Sequence, residues 1–203
     1  LCVEGFRDYC PNGIQIEGRA RIERLATGVT ACLALLEAAA AWGADAVLVH
    51  HGYFWRGEDP CLRGMKRRRI ATLIHHEMSL LAYHLPLDAH ETWGNNAQLG
   101  QRLSLVAEER FGADDLGMLG RPDSPLAAAS LTERIAGALE RRPLHIPGGP
   151  EPIRRVAWCS GGAERLIEAA AAAGADAYLS GEISEQTTHL ARELGIHYFA
   201  CGH

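Results

Sequence analysis

The sequence predicts an α/β protein built from two similar halves, and three observations support this fold class. Residues 35–48 read "LLEAAAAWGADAVL" and residues 166–179 read "LIEAAAAAGADAYL", which is an internal duplication. In both halves, short apolar runs alternate with helix-forming stretches, a pattern typical of mixed, largely parallel sheets. The chain has 203 residues, 47% hydrophobic and 22% charged, enough for a buried core. We therefore expect helices packed on sheets in a three-layer arrangement.

Each half begins with a short strand, predicted at Ile22–Thr27 and at Val156–Cys159. An alanine-rich helix follows because alanine has the highest helix propensity. Gly43 ends this helix in the first half and Gly174 in the second, since glycine is the preferred residue after a helix. The runs "ADAVLV" and "ADAYLS" are then predicted as buried strands.

A second helix and a third strand complete each half. The helices are predicted at about residues 67–77 and 185–194, with Ser184 as an N-cap. The strands are predicted at Leu80–His84 and His197–Cys201. The first half also carries an insertion in or near "GYFWRGEDPCLRGMK", a candidate cover for a site.

Three segments follow from the repeat. Residues 1–103 form the first α/β repeat and residues 151–203 the second. Residues 104–150 form a connector packed on the core, with one helix at about 126–141. The chain starts at Leu1 and stops at His203 directly after an apolar run, so we expect the C-terminus to be truncated.

Charge and cysteine content indicate a cytoplasmic protein. The net charge of −5 gives no global attraction to nucleic acid or to an anionic membrane. No apolar stretch of about 18 residues and no signal peptide is found. The six cysteines are scattered and are interpreted as reduced thiols.

Metal-binding side chains stand where the predicted strands end. Ligands of α/β sheets bind at the carboxyl ends of strands. Imidazole and carboxylate groups there suit first-row divalent metals. The predicted ligands are His50, His51, Asp88 and His203.

Strand alternation directs His50 and His51 to opposite faces, which disfavours one shared ion. It suits two ions about 3.5–4 Å apart that activate a water molecule. An isolated "HH" is otherwise a surface or capping pair. His84 could hold a ligand in place, and His84, His90 or Glu182 could move protons. Glu182 could instead be a helix-start carboxylate.

Five motifs closely resemble the GTP cyclohydrolase 1 type 2 homologue family, the YbgI-like dinuclear-metal-centre proteins. They are "PNGIQIEG", "GADAVLVHHGYFWRGE", "YHLPLDAHETWGNNAQL", "SGEISEQTTH" and "HYFACGH". The resemblance implies intertwined halves and a toroidal homohexamer with metal sites facing a cavity. It implies that His51 and Asp88 hold one metal and that His50 and His203 hold the other. A bridging glutamate is expected beyond His203.

The resemblance also implies an activity, the hydrolytic opening of the purine ring of GTP by metal-activated water. The partner would then be a small-molecule substrate such as a nucleotide. The alternative is a metal-binding ring that acts as a scaffold without nucleotide turnover and associates with DNA. That alternative requires a basic cavity lining, for which Arg63 and residues 66–69 are the candidates, and the net charge of −5 weighs against it.

Overall fold

The computed structural model describes residues 1–112 and 114–203, and the chain divides into two compact units, Leu1–Leu87 and Asp88–His203. Each unit contains its own mixed sheet, of four strands in the first and six in the second. The α/β fold class is therefore confirmed. None of the described helices is long and apolar enough to cross a membrane.

The first unit contains four strands and two helices between them. Its elements are β1 (Gly13–Ile16), β2 (Leu25–Thr30), α1 (Leu33–Trp42), β3 (Ala46–His51), α2 (Gly64–His75) and β4 (Ser79–Ala82). The strand order is β1-β4-β3-β2, and β2, β3 and β4 run parallel while β1 is antiparallel to β4. The short helix α3 (Leu85–Asp88) follows β4.

One face of this sheet forms the core of the first unit. Val47 and Leu80 lie side by side on β3 and β4, and they cluster with Leu36 of α1 and Leu73 of α2. Gly43 ends α1 with φ 77°, as the sequence predicts, because a residue without Cβ adopts this conformation at little cost. The helices thus cover one side of the sheet.

Among the described residues, the second unit contains six strands and four α-helices. In chain order they are α4 (Asn95–Arg102), β5 (Leu105–Phe111), β6 (Gly117–Pro122), α5 (Ala128–Leu139), β7 (Leu144–Ile146), β8 (Val156–Trp158), α6 (Ile167–Ala172), β9 (Ala177–Ser180), α7 (Glu185–Glu193) and β10 (His197–Ala200). The order is β5-β6-β8-β9-β10-β7, with β8, β9 and β10 parallel.

Both faces of the central strands of this second sheet are buried. Trp158 and Phe199 pack with Leu131 of α5 on one side. Tyr178 packs with Ile167 of α6 on the other. The second unit therefore has the three layers that the sequence predicts. Ser184 accepts a hydrogen bond from the Thr187 amide and caps α7, as predicted.

The segment 104–150 supplies three strands of the second sheet as well as α5. The sequence predicts the helix but not β5, β6 and β7. Strand β5 reads "LVAEERF", and its middle residues are exposed. Such an edge strand carries charged side chains on both faces, so it lacks the alternation from which strands are recognised.

Candidate metal centre

Three imidazoles meet at the carboxyl ends of two neighbouring strands in the first unit. His50 and His51 are the last residues of β3, and His84 follows β4. Their ligand nitrogens all lie within 4.8 Å of one another. The ring centroids of His50 and His84 are 5.0 Å apart. His84, which the sequence gives only as a supporting or proton-moving residue, thus belongs to the cluster itself.

The His50 and His51 rings converge, contrary to the opposite orientation expected from strand alternation. Their centroids are 4.6 Å apart and their planes are tilted by 53°. Both residues stand at the end of β3. Strand alternation therefore gives no argument for two ions over one.

Each of these three imidazoles has its Nδ1 atom held by a neighbour. His50 Nδ1 donates to the Tyr83 carbonyl at 2.9 Å, and His84 Nδ1 lies 2.7 Å from Asp8 Oδ1. His51 Nδ1 lies 3.1 Å from the hydroxyl of Thr30. A carbonyl or carboxylate only accepts, so the proton sits on Nδ1 of His50 and His84. The lone pair of a neutral ring is then on Nε2, the arrangement typical of metal-ligating histidines.

Asp8 is the partner that fixes His84, and its carboxylate is only 3% exposed. Burial alone would raise the pKa of Asp8. Hydrogen bonds from Asn12, from His84 and from the backbone amides of Tyr9 and Leu85 outweigh burial and lower the pKa of Asp8 below its ordinary value. Asp8 is therefore ionised at neutral pH and holds His84 by a charge-assisted hydrogen bond.

Cys10 also lies near Asp8 and His84, and these three residues form a second potential metal-binding group. Burial, together with the charge of Asp8, raises the pKa of the Cys10 thiol to about 12. A thiol must lose its proton to bind a metal. The three-histidine group is thus the better metal candidate in this unit.

The inserted loop of the first half reaches this cluster. The Trp55 ring stands edge-on to His84, with centroids 5.0 Å apart, and its indole nitrogen donates to the Gly52 carbonyl. The indole packs against one side of the imidazole, whose side chain is 15% exposed.

In the second unit, His203 and Glu182 form an ion-pair contact. His203 Nδ1 lies 2.6 Å from Glu182 Oε1, so Glu182 fixes the ring in the way that Asp8 fixes His84. His203 Nε2 is turned towards Gly161, where an added Cβ would lie 3.5 Å from it. Glu182, one of the predicted proton-moving residues, is thus placed to orient a predicted ligand.

Asp88 lies beside the same loop of the second unit. Its Oδ1 atom accepts a hydrogen bond from Asn95 at 2.7 Å and one from the Ser160 hydroxyl at 3.5 Å. Ser160 and Gly161 closely follow β8. Two predicted ligands, Asp88 and His203, therefore both lie beside the loop that follows β8.

His90, one of the predicted proton-moving residues, contacts the backbone of the turn that follows it. Its Nδ1 accepts hydrogen bonds from the backbone amides of Thr92 and Trp93 at 3.2 and 3.1 Å. The ring thereby holds the turn that precedes α4.

Sequence reasoning does not find Asp8, which lies in the irregular stretch "RDYCPNG" before β1. It is far from His84 along the chain, and no periodic pattern marks it. The feature of the sequence that could have indicated Asp8 is the nearby Asn12. Its side chain donates to Asp8 and accepts from the His84 amide. An asparagine in a Pro-Asn-Gly turn commonly makes such local bonds, so the signal has low specificity.

Fold and site together define an α/β protein with a histidine-rich candidate metal centre at the carboxyl ends of its strands. Residues 1–203 match the Duf34/NIF3 (NGG1p interacting factor 3) family, and the chain belongs to that family.

Two relatives share about half of their residues with this chain. A protein of Pseudomonas aeruginosa, named GTP cyclohydrolase 1 type 2 homolog, is 52% identical over 201 residues, covering 98% of this chain and 79% of the relative. A protein of the same name from Vibrio cholerae is 51% identical over 207 residues, covering 100% of this chain and 82% of the relative.

Two solved structures show the same fold. The protein ybgI, described as of unknown function, superposes with a TM-score of 0.95 at 47% identity, over 99% of this chain and 81% of its own. TTHA1606 from Thermus thermophilus gives a TM-score of 0.86 at 30% identity, over 98% of this chain and 80% of its own. The resemblance seen in the sequence motifs is thus confirmed at the level of family and fold.

Proposed function

We propose that this protein is a metal-dependent hydrolase that opens the purine ring of a nucleotide by attack of water. The ligands proposed are His50, His51, Asp88 and His203, holding two divalent transition-metal ions. The observation that carries the proposal is the anchoring of Nδ1 in each of the three histidines by a neighbouring oxygen. An oxygen that holds one ring nitrogen in this way is the usual support of a histidine metal ligand.

A bound divalent metal would supply a hydroxide equivalent near neutral pH and polarise the substrate. The chain's own residues would do the remaining work. His84 lies within the cluster and is fixed by Asp8, so its Nε2 is placed to take or return a proton. Trp55 packs against the His84 ring and would limit the access of water to it. Glu182 would orient His203 by a hydrogen bond to its Nδ1, as Asp8 orients His84.

The choice of a purine nucleotide as substrate rests on the relatives from Pseudomonas aeruginosa and Vibrio cholerae, whose names describe GTP cyclohydrolase homologues. The site itself supports hydrolysis in general, because imidazoles and a carboxylate are the groups that hold a water-activating metal.

The proposal is tested on the full-length, metal-loaded protein by incubation with GTP and identification of the product. Asp88→Ala should lose metal and slow turnover by at least about a hundredfold, since removal of one ligand disrupts the centre. Asp123→Ala, an exposed carboxylate of the same unit, is the matched control and should behave as the wild type.

Elemental analysis of the same samples tests the ligand set separately. Close to two transition-metal ions per chain are expected in the wild type and fewer in His51→Ala. Equal turnover by the wild type and Asp88→Ala would refute the hydrolase proposal. A full metal complement without turnover, combined with salt-sensitive DNA binding, would favour the scaffold alternative.

A further inference from the structure

A cleft of about 410 Å³ opens in the second unit at the carboxyl ends of β9 and β10. Its floor is formed by residues that follow these strands, Gly181 and Gly202, and its apolar wall includes Leu144 and Ile183. A volume of this size suits a small metabolite. The position is where α/β sheets bind ligands, since the strand ends leave backbone and loop side chains around an open crevice.

Two arginines, Arg141 and Arg142, line this cleft side by side after α5. The Arg141 guanidinium packs on the backbone of Gly202, where a Cβ would lie 2.7 Å from Nη1. Gly202 has φ 94°, a conformation that L residues rarely adopt, and its lack of a side chain leaves room for the guanidinium. This contact fixes Arg141 at the mouth of the cleft.

Both guanidinium groups are accessible to a ligand. Arg142 pairs with Glu133 at 2.7 Å, but the two side chains are 68% and 66% exposed. An ion pair this exposed contributes little, so a doubly charged anion can replace the carboxylate. Within the part of the chain that the structure describes, Arg141 lies within ion-pair distance of no carboxylate.

Glu182 is the one carboxylate that lines the cleft among the described residues, and its side chain contacts His203. Its Oε1 atom lies 2.6 Å from His203 Nδ1. The cleft therefore presents two arginines against one lining carboxylate, and the carboxylate that pairs with Arg142 is exposed and can be displaced. This balance favours an anion, in a chain whose overall charge of −5 would repel one.

We propose that this cleft binds the phosphate groups of a small phosphorylated ligand through Arg141 and Arg142. The planar guanidinium fork matches phosphate oxygens in a bidentate manner. The phosphate cleft would extend the proposed function to the binding of its substrate. The statement that the ligand is a substrate rests on that proposed function. Because Glu182 contacts both the cleft and His203, a phosphate held here would place the rest of the molecule beside that proposed metal ligand.

The test is calorimetric titration of the full-length, metal-loaded protein with inorganic pyrophosphate, GTP and guanosine at fixed low salt. The variants are Arg141→Gln, Arg142→Gln and their combination, with Arg141→Lys to separate charge from fork geometry. Arg121→Gln is the matched control, because Arg121 is an exposed arginine of the same unit that pairs with Glu108. Circular dichroism and metal content are measured for every variant, so that loss of fold or of metal is recognised.

Each Gln variant should weaken pyrophosphate and GTP binding about tenfold, as expected for loss of a charge-assisted hydrogen bond. Arg141→Lys should fall between wild type and Arg141→Gln. Guanosine binding and the Arg121→Gln control should not change. Pyrophosphate affinity unchanged in the double variant would overturn the proposal.

Failure of this proposal and failure of the hydrolase proposal give different results. Turnover of GTP with an unchanged KM in the double variant would refute phosphate binding in the cleft and would leave the hydrolase proposal intact. Arginine-dependent binding of pyrophosphate without any GTP turnover would support phosphate binding in the cleft and would refute the hydrolase proposal.

Discussion

At the scale of single residues, the imidazoles of the candidate centre are held by acceptors of different strength. His50 is held by a carbonyl, His51 by a hydroxyl, and His84 and His203 by carboxylates. A carboxylate raises the basicity of the ring more than a neutral acceptor does. We therefore expect His84 to be the imidazole of its cluster most affected by loss of its partner.

Asp8→Asn tests this expectation. Asparagine keeps the shape of the side chain but removes the charge that fixes Nδ1–H of His84, so the preferred tautomer is lost. The expected result is GTP turnover about tenfold lower at unchanged metal content, because His84 is the proposed proton-moving residue and not a proposed ligand. Product formation from GTP and elemental analysis of the same samples measure it.

Asp59→Asn is the control for Asp8→Asn, because Asp59 is a carboxylate of the same unit that pairs at the surface with Arg63. The nitrogen chemical shifts of His84 report its tautomer independently of metal. An Asp8→Asn protein with wild-type GTP turnover and unshifted His84 resonances would contradict this role for Asp8.

At the scale of elements, β7 and β10 are joined by a pair of histidines away from the candidate metal centre. His145 of β7 lies opposite Phe199 of β10, stacks on it at 4.5 Å, and its Nε2 is 3.1 Å from Nδ1 of His197. Burial and, secondarily, the charge of His197 lower the pKa of His145, against the opposing effect of Glu151. His197 itself is 4% exposed.

This pair predicts a pH dependence of stability. A histidine whose pKa is lowered in the folded protein binds its proton more readily in the unfolded protein. Its contribution to the free energy of unfolding is therefore fully present above the unfolded pKa of about 6.5. Stability is then lost as the pH falls from that value through the lowered folded pKa. Urea midpoints measured between pH 8 and pH 5 should show this decrease, corresponding to uptake of at most about one proton.

His145→Phe should flatten this dependence, since phenylalanine keeps the stack on Phe199 and does not titrate. His189→Gln, which removes an exposed histidine of α7, serves as the control and should leave the dependence in place. An equally steep dependence in His145→Phe and in the wild type would exclude the pair as its source.

The elements also indicate which parts of the fold can be predicted from the sequence. The repeated strands and helices are predictable because alanine-rich helices, their terminal glycines and apolar strands are local patterns. The edge strand β5 is not predicted, because its consecutive charged residues interrupt the alternation of apolar and polar residues that marks a strand. At the site, His50 and His51 are found from their place at a strand end. Asp8 is not, because its contact with His84 is made by the tertiary fold.

At the scale of the whole molecule, the sheet of the first unit has one covered face and one exposed face. Ile14, Leu25 and Val29 lie on the face opposite to the helices and are 63%, 48% and 62% exposed. Leu48 and Leu81 stand between them on the same face and are partly exposed. An apolar sheet face of this kind is typical of a protein–protein interface rather than of a monomer surface.

We propose that this face is covered by further copies of the chain in a ring of six, the assembly that the family resemblance implies. Light scattering coupled to size-exclusion chromatography should give a mass six times that of the monomer for the full-length protein. The double variant Leu25→Glu and Val29→Lys places charges on the face and should reduce the mass to that of smaller species, because burial of a charge is costly. Leu62→Glu changes an exposed leucine of the loop before α2 and should keep the mass of the wild type. A monomeric wild type, or a double variant of unchanged mass, would show that this face is not the contact, because a closed assembly depends on each of its interfaces.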